Sequence, residues 1–312
     1  MTNMRITRPK EIKNWQYHFM GAGILVLNCI RHKLSGYKTP RTFSVDQTDR
    51  AVGYDFKVTE EWLKYLSDYL KQADFLKDKV VLELGPGPDL GTGLILLAAG
   101  VKKYIALDVN KLTASTPLEF YNKLFIRIKD KYPNCNIGYL KELLDKCYKS
   151  GNAALNYVID ENFEISKIRE KIDIVFSHAT FEHFTNVEKT LKELNSVVRE
   201  GSILVTEIDL KTHSRWIRDK DPLNIYRYND LFWNLFRFKG SPNRVRTFEY
   251  RKLLEENGWF DIQVIPMNIL EDKYVSKVKP TLYKRFRNIN HSEVKMLSIM
   301  LMAKKGNSKT LK

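Results

Sequence analysis

The residues of this chain best suited to chemistry lie in a short glycine-rich segment and at one aspartate downstream of it. Gly85 and Gly87 follow an apolar run, Val80–Leu84, and precede a second apolar run that begins near Gly91. Glycine lets a backbone turn sharply and approach a ligand closely, so the segment is typical of a turn that binds a nucleotide cofactor. Asp108 lies 21 residues after Gly87. A carboxylate there can accept hydrogen bonds from both hydroxyls of a ribose.

Two departures from the dinucleotide-binding pattern G-x-G-x-x-G indicate the kind of cofactor. Leu90 stands where that pattern has its third glycine, and Glu83 lies two residues before the first. A carboxylate at this turn would repel a pyrophosphate, but it suits S-adenosylmethionine, which carries a cationic amino group and a sulfonium. We therefore predict an S-adenosylmethionine site formed by Glu83, Gly85, Pro86, Gly87, Asp89, Asp108, Val109, Asn110, Asp160, Glu161, Ser177 and His178.

The elements that would position these residues alternate between strand and helix. This alternation predicts an α/β, Rossmann-like, doubly wound fold. We expect a mostly parallel seven-stranded sheet with an antiparallel C-terminal strand. The predicted strands are Val80–Leu84, Lys103–Leu107, Leu155–Ile159, Ile172–Ser177, Ser202–Ile208, Trp259–Pro266 and Met296–Ala303.

The chain is divided accordingly into a central domain and its additions. Residues 1–78 are predicted as an N-terminal helical extension, 79–305 as the domain that holds the cofactor, and 306–312 as a tail. The segment 210–245 interrupts the alternation after the fifth strand and is rich in Trp, Tyr, Phe, Asn and Arg. Long structured insertions in such folds are usually functional, so we expect a substrate lid there.

The positive charge of the chain is concentrated at its two ends. The formal net charge is +15, with eight Lys or Arg against one acid in residues 1–42 and eleven against one in 273–312, which leaves the middle at −2. A basic end can meet an anionic membrane surface, nucleic acid or a phosphorylated substrate, or it can be a solvated face. The charge pattern alone leaves these interpretations open.

Cysteine usage and hydropathy indicate the cellular compartment of the protein and its relation to membranes. Cys29, Cys135 and Cys147 are far apart and odd in number, which argues against a disulfide framework or a structural zinc site and fits a reducing cytoplasm. We see no signal peptide pattern. The apolar stretch 19–30 is about half of the ~20 residues needed to span a bilayer, so we expect a buried helix or one lying at a membrane surface.

Methyl transfer from a sulfonium needs positioning above all, and a base when the acceptor is a hydroxyl. Candidate bases must project from the carboxyl ends of the fourth and fifth strands, where His178, Glu182, His183, Asp209 and His213 lie. We predict His178 and His213 as bases because histidine titrates near neutrality, with Asp209 orienting a histidine or binding the acceptor. His183 is expected to pack on the sheet. No metal site is predicted, although Asp209 and His213 could form part of one.

The densest polar cluster of the insertion is Asn243, Arg244 and Arg246. Arginine binds phosphate and carboxylate through two parallel hydrogen bonds, so we predict these residues as substrate-binding. Salt bridging to acids of the central domain is the competing interpretation. The aromatic residues of the insertion could stack on sugar rings or form the core of a lid.

The motifs resemble those of class I methyltransferases. Glu83–Gly87 resembles their first motif, Asp108 their second, and Ile172–His183 their fourth-strand motif. A narrower resemblance is to bacterial methyltransferases found with exopolysaccharide, capsule and O-antigen assembly genes, and it is carried by Gly36–Ser44, Glu207–His213, Leu231–Phe238 and Ser241–Arg246. This resemblance implies a glycan or sugar-linked acceptor.

These expectations favour a cytoplasmic enzyme that O-methylates a sugar, a glycan or a lipid- or nucleotide-linked glycan intermediate. Its basic ends would permit peripheral contact with the inner face of a membrane. One alternative is an RNA methyltransferase that uses the basic termini, although the sequence shows no recognised RNA-binding module, and DNA is not expected. A small-molecule natural-product O-methyltransferase is a further alternative. The intact glycine turn and Asp108 argue against a non-catalytic scaffold.

Overall fold

The computed structural model describes residues 4–9, 13–36, 42–147 and 153–306. Within these ranges eight strands form one sheet, in the order β1-β7-β8-β6-β5-β2-β3-β4. All neighbouring strands are parallel except that β8 runs antiparallel to β6 and β7. The strands are β1 (Arg5–Thr7), β2 (Val80–Leu84), β3 (Lys103–Asp108), β4 (Leu155–Ile159), β5 (Ile172–His178), β6 (Val198–Asp209), β7 (Trp259–Leu270) and β8 (Met296–Lys305).

The helices follow the expected alternation and continue through the insertion and the C-terminal part. Short 3₁₀ turns join several of them, among them Phe181–His183 after β5 and Asn224–Arg227 in the insertion. The α-helices of the described ranges are α1 (Asn14–Ser35), α2 (Thr48–Leu70), α3 (Gly91–Ala98), α4 (Leu118–Lys131), α5 (Ile137–Cys147), α6 (Val187–Val197), α7 (Asp230–Phe236), α8 (Thr247–Glu256), α9 (Asp272–Val278), α10 (Lys284–Arg287) and α11 (His291–Val294).

The predicted Rossmann-like fold is confirmed, but the predicted number of strands was wrong. β7 does not stop at Pro266 and runs on to Leu270, and its last residues pair with an eighth strand, β1. Arg5–Thr7 lies in the segment predicted to be helical and forms the parallel edge of the sheet instead. A three-residue strand is too short to show a periodicity in the sequence. Its pairing partner lies more than 250 residues away, so no local pattern indicates the pairing either.

The sheet separates two hydrophobic layers, because successive strand residues point to opposite faces. Val81 belongs to the layer under α2, α3, α4 and α5, and Leu82 to the layer under α6 and α8. On the first face, α2 buries Trp62 and Leu66 one turn apart, and the Trp62 ring stacks on Phe176 of β5 with centroids 4.8 Å apart. This stack sets α2 directly over the central strands, beside the ends of β2 and β5.

The helix α1 is held against the insertion by contacts between distant parts of the chain. Asn224 Nδ2 donates to the Tyr17 carbonyl at 2.9 Å, and Tyr228 OH donates to the His18 carbonyl at 2.9 Å. Gly21 faces these two side chains so closely that a Cβ there would overlap both. The insertion is therefore packed against α1 as well as against the sheet.

Parts of the predicted basic ends lie outside the described residues. These are 1–3, 10–12 and 37–41 at the N-terminal end and, apart from Gly306, the predicted tail 306–312. Within the described residues, no helix is long and apolar enough to cross a membrane.

Candidate functional site

A cavity of about 1210 Å³ lies where β2, β3 and β5 end at their carboxyl termini. Ligands of open α/β sheets bind at this edge, outside the carboxyl ends of the strands. Of the twelve residues predicted to bind the cofactor, ten line the cavity: Glu83, Gly85, Pro86, Gly87, Asp89, Asp108, Val109, Asn110, Glu161 and His178.

The glycine turn between β2 and α3 forms the floor of the cavity. Gly85 and Gly87 have φ angles of 74° and 83°, in the left-handed region that favours glycine. The Gly85 N–H donates to the Leu107 carbonyl at 2.8 Å, and a Cβ at Gly85 would overlap the Thr180 side chain. The Gly87 N–H donates to Asp108 Oδ2 at 3.3 Å. The turn thus needs glycine at both positions and is tied to the end of β3.

Glu83 is buried beneath this turn and accepts two hydrogen bonds. Thr92 Oγ1 donates to Glu83 Oε2 at 2.6 Å, and the Tyr104 hydroxyl donates to the same oxygen. Burial raises the pKa of Glu83 to about 7. Burial also raises the pKa of Asp108, the carboxyl predicted to hold the ribose. Both groups therefore bind protons more tightly than exposed carboxyls and gain from a cationic neighbour.

A further pair of carboxyls stands beside them, and one member was missed in the sequence. Asp89 Oδ1 accepts from the Gly91 N–H at 2.8 Å, and burial raises the pKa of Asp89 to about 6. Asp55 of α2 is buried against Asp89, and burial together with the Asp89 charge raises its pKa well above the usual value. Asp55 lies in the middle of a helix, where a lone acid gives no signal. We call Asp55, Glu83, Asp89 and Asp108 the acidic end of the cavity.

His178 lies at the end of β5 and lines the cavity beside this acidic end. Its Nδ1 is 3.3 Å from Glu207 Oε2, and its ring meets the Tyr54 ring edge-on. Burial lowers the pKa of His178 to about 4, and burial raises the pKa of Glu207 to about 7. The imidazole is therefore uncharged at neutral pH and can accept a proton.

A second group combines residues from the ends of β5 and β6. His183 and His213 line the cavity with ring centroids 5.0 Å apart, and His213 Nε2 is 3.7 Å from Glu182 Oε1. Burial lowers the pKa of His183 to about 4. Burial alone would lower the pKa of His213 too, but the nearby Glu182 and Asp209 carboxylates outweigh it and raise that pKa. Asp209 itself does not line the cavity, and it pairs with the Lys211 ammonium at 3.1 Å.

Away from the acidic end, the wall of the cavity becomes cationic. We call this region the basic mouth, since its side chains are exposed at the opening. It combines the last turn of α1, the first turn of α2, the first turn of α6 and the segment after α7. Its members are Lys33, Arg50, Lys189, Arg237 and Lys239.

A model of a methyltransferase-domain family matches residues 54–264, more than half of the chain. The chain belongs to this family. It carries a methyltransferase domain, which agrees with the prediction made from the glycine turn and Asp108.

Several known methyltransferases resemble this methyltransferase. A malonyl-[acyl-carrier protein] O-methyltransferase of Ilyobacter polytropus is 30% identical over 86 residues, which are 25% of this chain and 32% of that protein. The chain thus matches about a third of the length of this curated relative. Among solved structures, the CurJ carbon methyltransferase is 14% identical, with a TM-score of 0.45, and the match covers 94% of this chain and 69% of that one. The magnesium protoporphyrin IX methyltransferase of Synechocystis is 15% identical, with a TM-score of 0.41, and the match covers 92% and 99%.

The acidic end of this methyltransferase fits S-adenosylmethionine. Four buried carboxyls, one of them on the glycine turn, would face a ligand with an ammonium and a sulfonium, whereas they would repel a pyrophosphate. When bound, S-adenosylmethionine supplies a methyl group already activated on sulfur. The protein then has to position the acceptor, exclude water and remove the acceptor proton.

Two predicted cofactor residues lie outside the cavity of the methyltransferase, and both have other partners. Asp160 accepts from the Asn162 N–H at 2.9 Å and pairs with Lys167 at 2.6 Å, so it shapes the turn after β4. The Lys167 hydrogen bond lowers the pKa of Asp160. Ser177 is fully buried and donates to the Leu84 carbonyl at 3.2 Å. Because side chains alternate along β5, His178 points into the cavity and Ser177 points away from it.

The predicted substrate-binding cluster does not line the cavity either. Asn243 Nδ2 donates to the Phe181 and Phe184 carbonyls. Arg244 is buried, donates to the Tyr228 carbonyl at 2.6 Å and pairs with Asp230. Arg246 is buried too, and it donates to backbone carbonyls that include Met296 at 3.0 Å. All three residues hold the insertion together, and the cations that do line the cavity are those of the basic mouth.

Proposed function

We propose that this methyltransferase transfers a methyl group to a hydroxyl of a phosphate-bearing, lipid-linked sugar at the surface of a membrane. One observation carries the proposal: two helices with exposed apolar residues, α1 and α7, lead directly into the basic mouth of the cavity. The sugar is suggested by the narrower resemblance described above. The oxygen acceptor is suggested by the uncharged His178, and the curated relative is likewise named an O-methyltransferase.

The helix α1 carries large apolar side chains on a face that the described residues leave exposed. Trp15 is 68% exposed, Phe19 70% and Leu34 83%. Gly21, Ile24 and Leu25 on the other side of the helix are buried. Exposed apolar surface of this kind marks an interaction site, and an interfacial helix would place it in the boundary layer of a bilayer. Leu231 and Leu235 of the neighbouring α7 are exposed as well.

Both helices end at the opening of the cavity. His32 and Lys33 lie in the last turn of α1 and line the cavity. Arg237 and Lys239 follow α7 and line it too, and the rings of His32 and Phe238 meet with centroids 4.5 Å apart. If the apolar faces contact a membrane, the cations of the mouth lie at the level of lipid phosphates. A lipid-linked sugar phosphate could then enter without leaving the membrane surface.

The wall of the cavity suits proton removal from a hydroxyl. His178 is neutral at physiological pH and stands at the end of β5, beside the acidic end where the cofactor is held. Its Nδ1 contact with Glu207 orients the ring. A positioned general base contributes a factor of about 10² to 10⁴ to a rate, most when its pKa lies near the operating pH. The lowered pKa of His178 keeps it in the deprotonated form that a base needs, but makes it a weaker base than an ordinary histidine.

Membrane binding and methyl transfer test the proposal together. Purified protein is sedimented with vesicles of phosphatidylcholine, with and without phosphatidylglycerol, and is then incubated with radiolabelled S-adenosylmethionine and a bacterial lipid extract. We expect binding that requires the anionic lipid, and label in the organic-soluble fraction. Phe19→Ser with Leu34→Ser should abolish both.

The chain offers a matched control for this experiment. Leu118 and Ile126 of α4 are 74% and 65% exposed and lie outside the cavity, so Leu118→Ser with Ile126→Ser removes similar apolar surface elsewhere. The proposal fails if both double variants behave alike or if the wild type ignores vesicles. Label that appears in added total RNA instead would establish the RNA methyltransferase.

A further inference from the structure

We propose that Glu182, His183 and His213 bind a divalent transition-metal ion in the wall of the cavity. Each residue offers one ligand atom, and the three atoms lie within 4.8 Å of one another. Glu182 and His183 follow β5, and His213 follows β6, so two neighbouring parallel strands bring the three residues together.

The two histidines are held in the tautomer that a metal ligand needs. His183 Nδ1 contacts the Gly240 carbonyl at 2.7 Å, and His213 Nδ1 contacts the Lys211 carbonyl at 2.9 Å. A carbonyl can only accept, so both Nδ1 atoms carry the hydrogen, and Nε2 is the nitrogen of each ring that would coordinate an ion. Metal-binding histidines have this outer arrangement, in which a backbone carbonyl or carboxylate fixes the ring.

The buried carboxylate of Glu182 is a second, independent observation that points to a bound cation. It is 1% exposed, and neither of its carboxylate oxygens has a hydrogen-bond partner among the described residues. A buried carboxylate is normally satisfied by several donors, because burial without compensation is costly. The neighbouring Asp209 is compensated by the Lys211 ammonium, whereas in the part of the chain that the structure describes Glu182 pairs with the His213 ring, at 3.7 Å. A cation between Glu182 and the two rings would satisfy it.

The donor set indicates which ions fit. Two imidazole nitrogens and one carboxylate suit zinc, cobalt or iron(II) better than magnesium or calcium, which prefer oxygen ligands. Tetrahedral zinc with bonds of about 2.0–2.1 Å holds its ligand atoms about 3.3 Å apart. His213 Nε2 and Glu182 Oε1, at 3.7 Å, are close to this spacing, and the three ligand atoms, which lie within 4.8 Å of one another, would draw together around an ion. Three protein ligands leave one position open, as in catalytic sites.

The open position would face the acceptor. His183 and His213 line the cavity and Glu182 does not, so an ion held by all three would expose its open position toward the cavity. This use of the site rests on the proposed function. An acceptor hydroxyl bound there would lose its proton to a base such as His178. Its oxygen would then form the bond to the methyl carbon as the sulfur–methyl bond breaks, releasing S-adenosylhomocysteine without any change in the oxidation state of the ion.

Cobalt(II) is the probe for the experiment, because tetrahedral cobalt with nitrogen and oxygen ligands absorbs visible light. Tag-free protein is freed of metal with a chelator and titrated with cobalt chloride, with no acceptor present. We expect one equivalent to bind with a visible spectrum, and zinc to displace it. Glu182→Gln and His213→Gln should each weaken binding at least about tenfold, which corresponds to about 1.4 kcal/mol. His291→Gln, which alters an exposed histidine paired with Asp272, should bind like the wild type.

The measurement does not depend on the acceptor, so its failure is distinct from failure of the proposed function. Absence of stoichiometric cobalt binding to the wild type overturns the metal site, as does unchanged binding by both ligand variants. If a variant does not fold, the wild type still decides. Bound zinc should protect His183 and His213, and not His291, from diethyl pyrocarbonate, as read by peptide mass spectrometry. Equal labelling of all three with and without zinc rejects the site.

Discussion

The two ends of the cavity are built from the chain in different ways. At the acidic end, three of the four carboxyls come from one strand–turn–helix–strand unit between Glu83 and Asp108. The basic mouth collects its cations from four separate helices or their ends, between Lys33 and Lys239. Local sequence therefore dictates the first arrangement, whereas the second depends on how distant elements pack. The cofactor end is common to many methyltransferases, and the mouth is where an acceptor can be distinguished.

Tertiary contacts decide which cations of the insertion reach the mouth. Arg227 and Asp221 form a fully buried ion pair, and Tyr274 donates to the same carboxylate at 2.5 Å. Arg227 also reaches Asn14 of α1 at 3.0 Å. This network fixes α1 to the insertion, and the far end of α1 meets the segment after α7 where the ring centroids of His32 and Phe238 are 4.5 Å apart. Arg227, Arg244 and Arg246 are buried and hold the insertion together. Arg237, which does not stand out in the sequence, lines the cavity.

The largest effect should separate these two kinds of arginine. Arg246→Met removes buried hydrogen bonds to several backbone carbonyls and leaves those carbonyls unpaired. We expect the free energy of unfolding to fall by about 3 kcal/mol, as measured by urea denaturation. Arg237→Met, at the exposed mouth, should change it by less than about 0.5 kcal/mol. If the free energy of unfolding falls equally in the two variants, Arg246 contributes no more to the stability of the insertion than the exposed Arg237 does.

The second effect concerns the acidic end alone. Gly85→Val places a β-branched side chain at a φ of 74° and against Thr180, so the turn must move. We expect the Kd of S-adenosylhomocysteine to rise about a hundredfold, or roughly 2.8 kcal/mol, in calorimetry.

Gly23→Ala is the control for Gly85→Val. A Cβ at Gly23 meets nothing within 4 Å, and alanine favours the helix there. This variant should bind as the wild type does. If Gly85→Val retains normal affinity, the glycine turn is not the cofactor floor.

The cofactor end could be predicted because its geometry is local. A strand, a glycine turn and an acid at the end of the next strand reach one edge of a parallel sheet whatever surrounds them, and Gly85, Gly87 and Asp108 all line the cavity there. Prediction failed where the orientation of one side chain mattered. Ser177 and His178 are adjacent in sequence, yet they lie on opposite faces of β5, and Asp160 turns back to cap its own loop.

The mouth could not be predicted for a different reason. Asn224 and Tyr17 are 207 residues apart, and no periodicity in either segment reports that they touch. Asn243, Arg244 and Arg246 stood out because they are polar and close together, but density in sequence says nothing about burial. The signal that could have found Arg237 and Lys239 is their place directly after a short helix with exposed leucines, beside Gly240.

The third effect concerns the mouth alone. Lys33→Glu with Arg237→Glu should raise the KM for the methyl-accepting lipid extract about thirtyfold, because an anionic acceptor loses two cations and meets two anions. The Kd of S-adenosylhomocysteine should change less than about twofold. The effect should shrink as salt is added. Lys64→Glu with Lys102→Glu changes the net charge equally at exposed positions outside the cavity. A similar rise in KM there would mean that overall charge, and not the mouth, attracts the acceptor.

The smallest effect is the pH dependence of the acidic end. Burial raises the pKa of Glu83 to about 7, so this carboxyl is largely protonated at pH 6 and ionised at pH 8. A cation binds the ionised form better, and S-adenosylmethionine affinity should therefore rise as pH increases, by about tenfold between pH 6 and 8. The free energy of unfolding of the cofactor-free protein should change in the opposite direction and fall as pH increases. Since the unfolded carboxyl ionises near pH 4.5, stability is lost as pH rises from there through 7.

Calorimetry with S-adenosylmethionine at pH 6, 7 and 8 measures this slope directly. Glu83→Gln keeps an oxygen that can accept from Thr92 and Tyr104 but cannot ionise, so most of the slope should disappear. A residual slope at lower pH would belong to Asp89, because burial raises the pKa of that carboxyl to about 6. A flat profile in the wild type, or an undiminished slope in Glu83→Gln, would mean that the buried glutamate does not sense the cationic ligand. The contrast between an acidic cofactor end and a basic mouth would then rest on the aspartates alone.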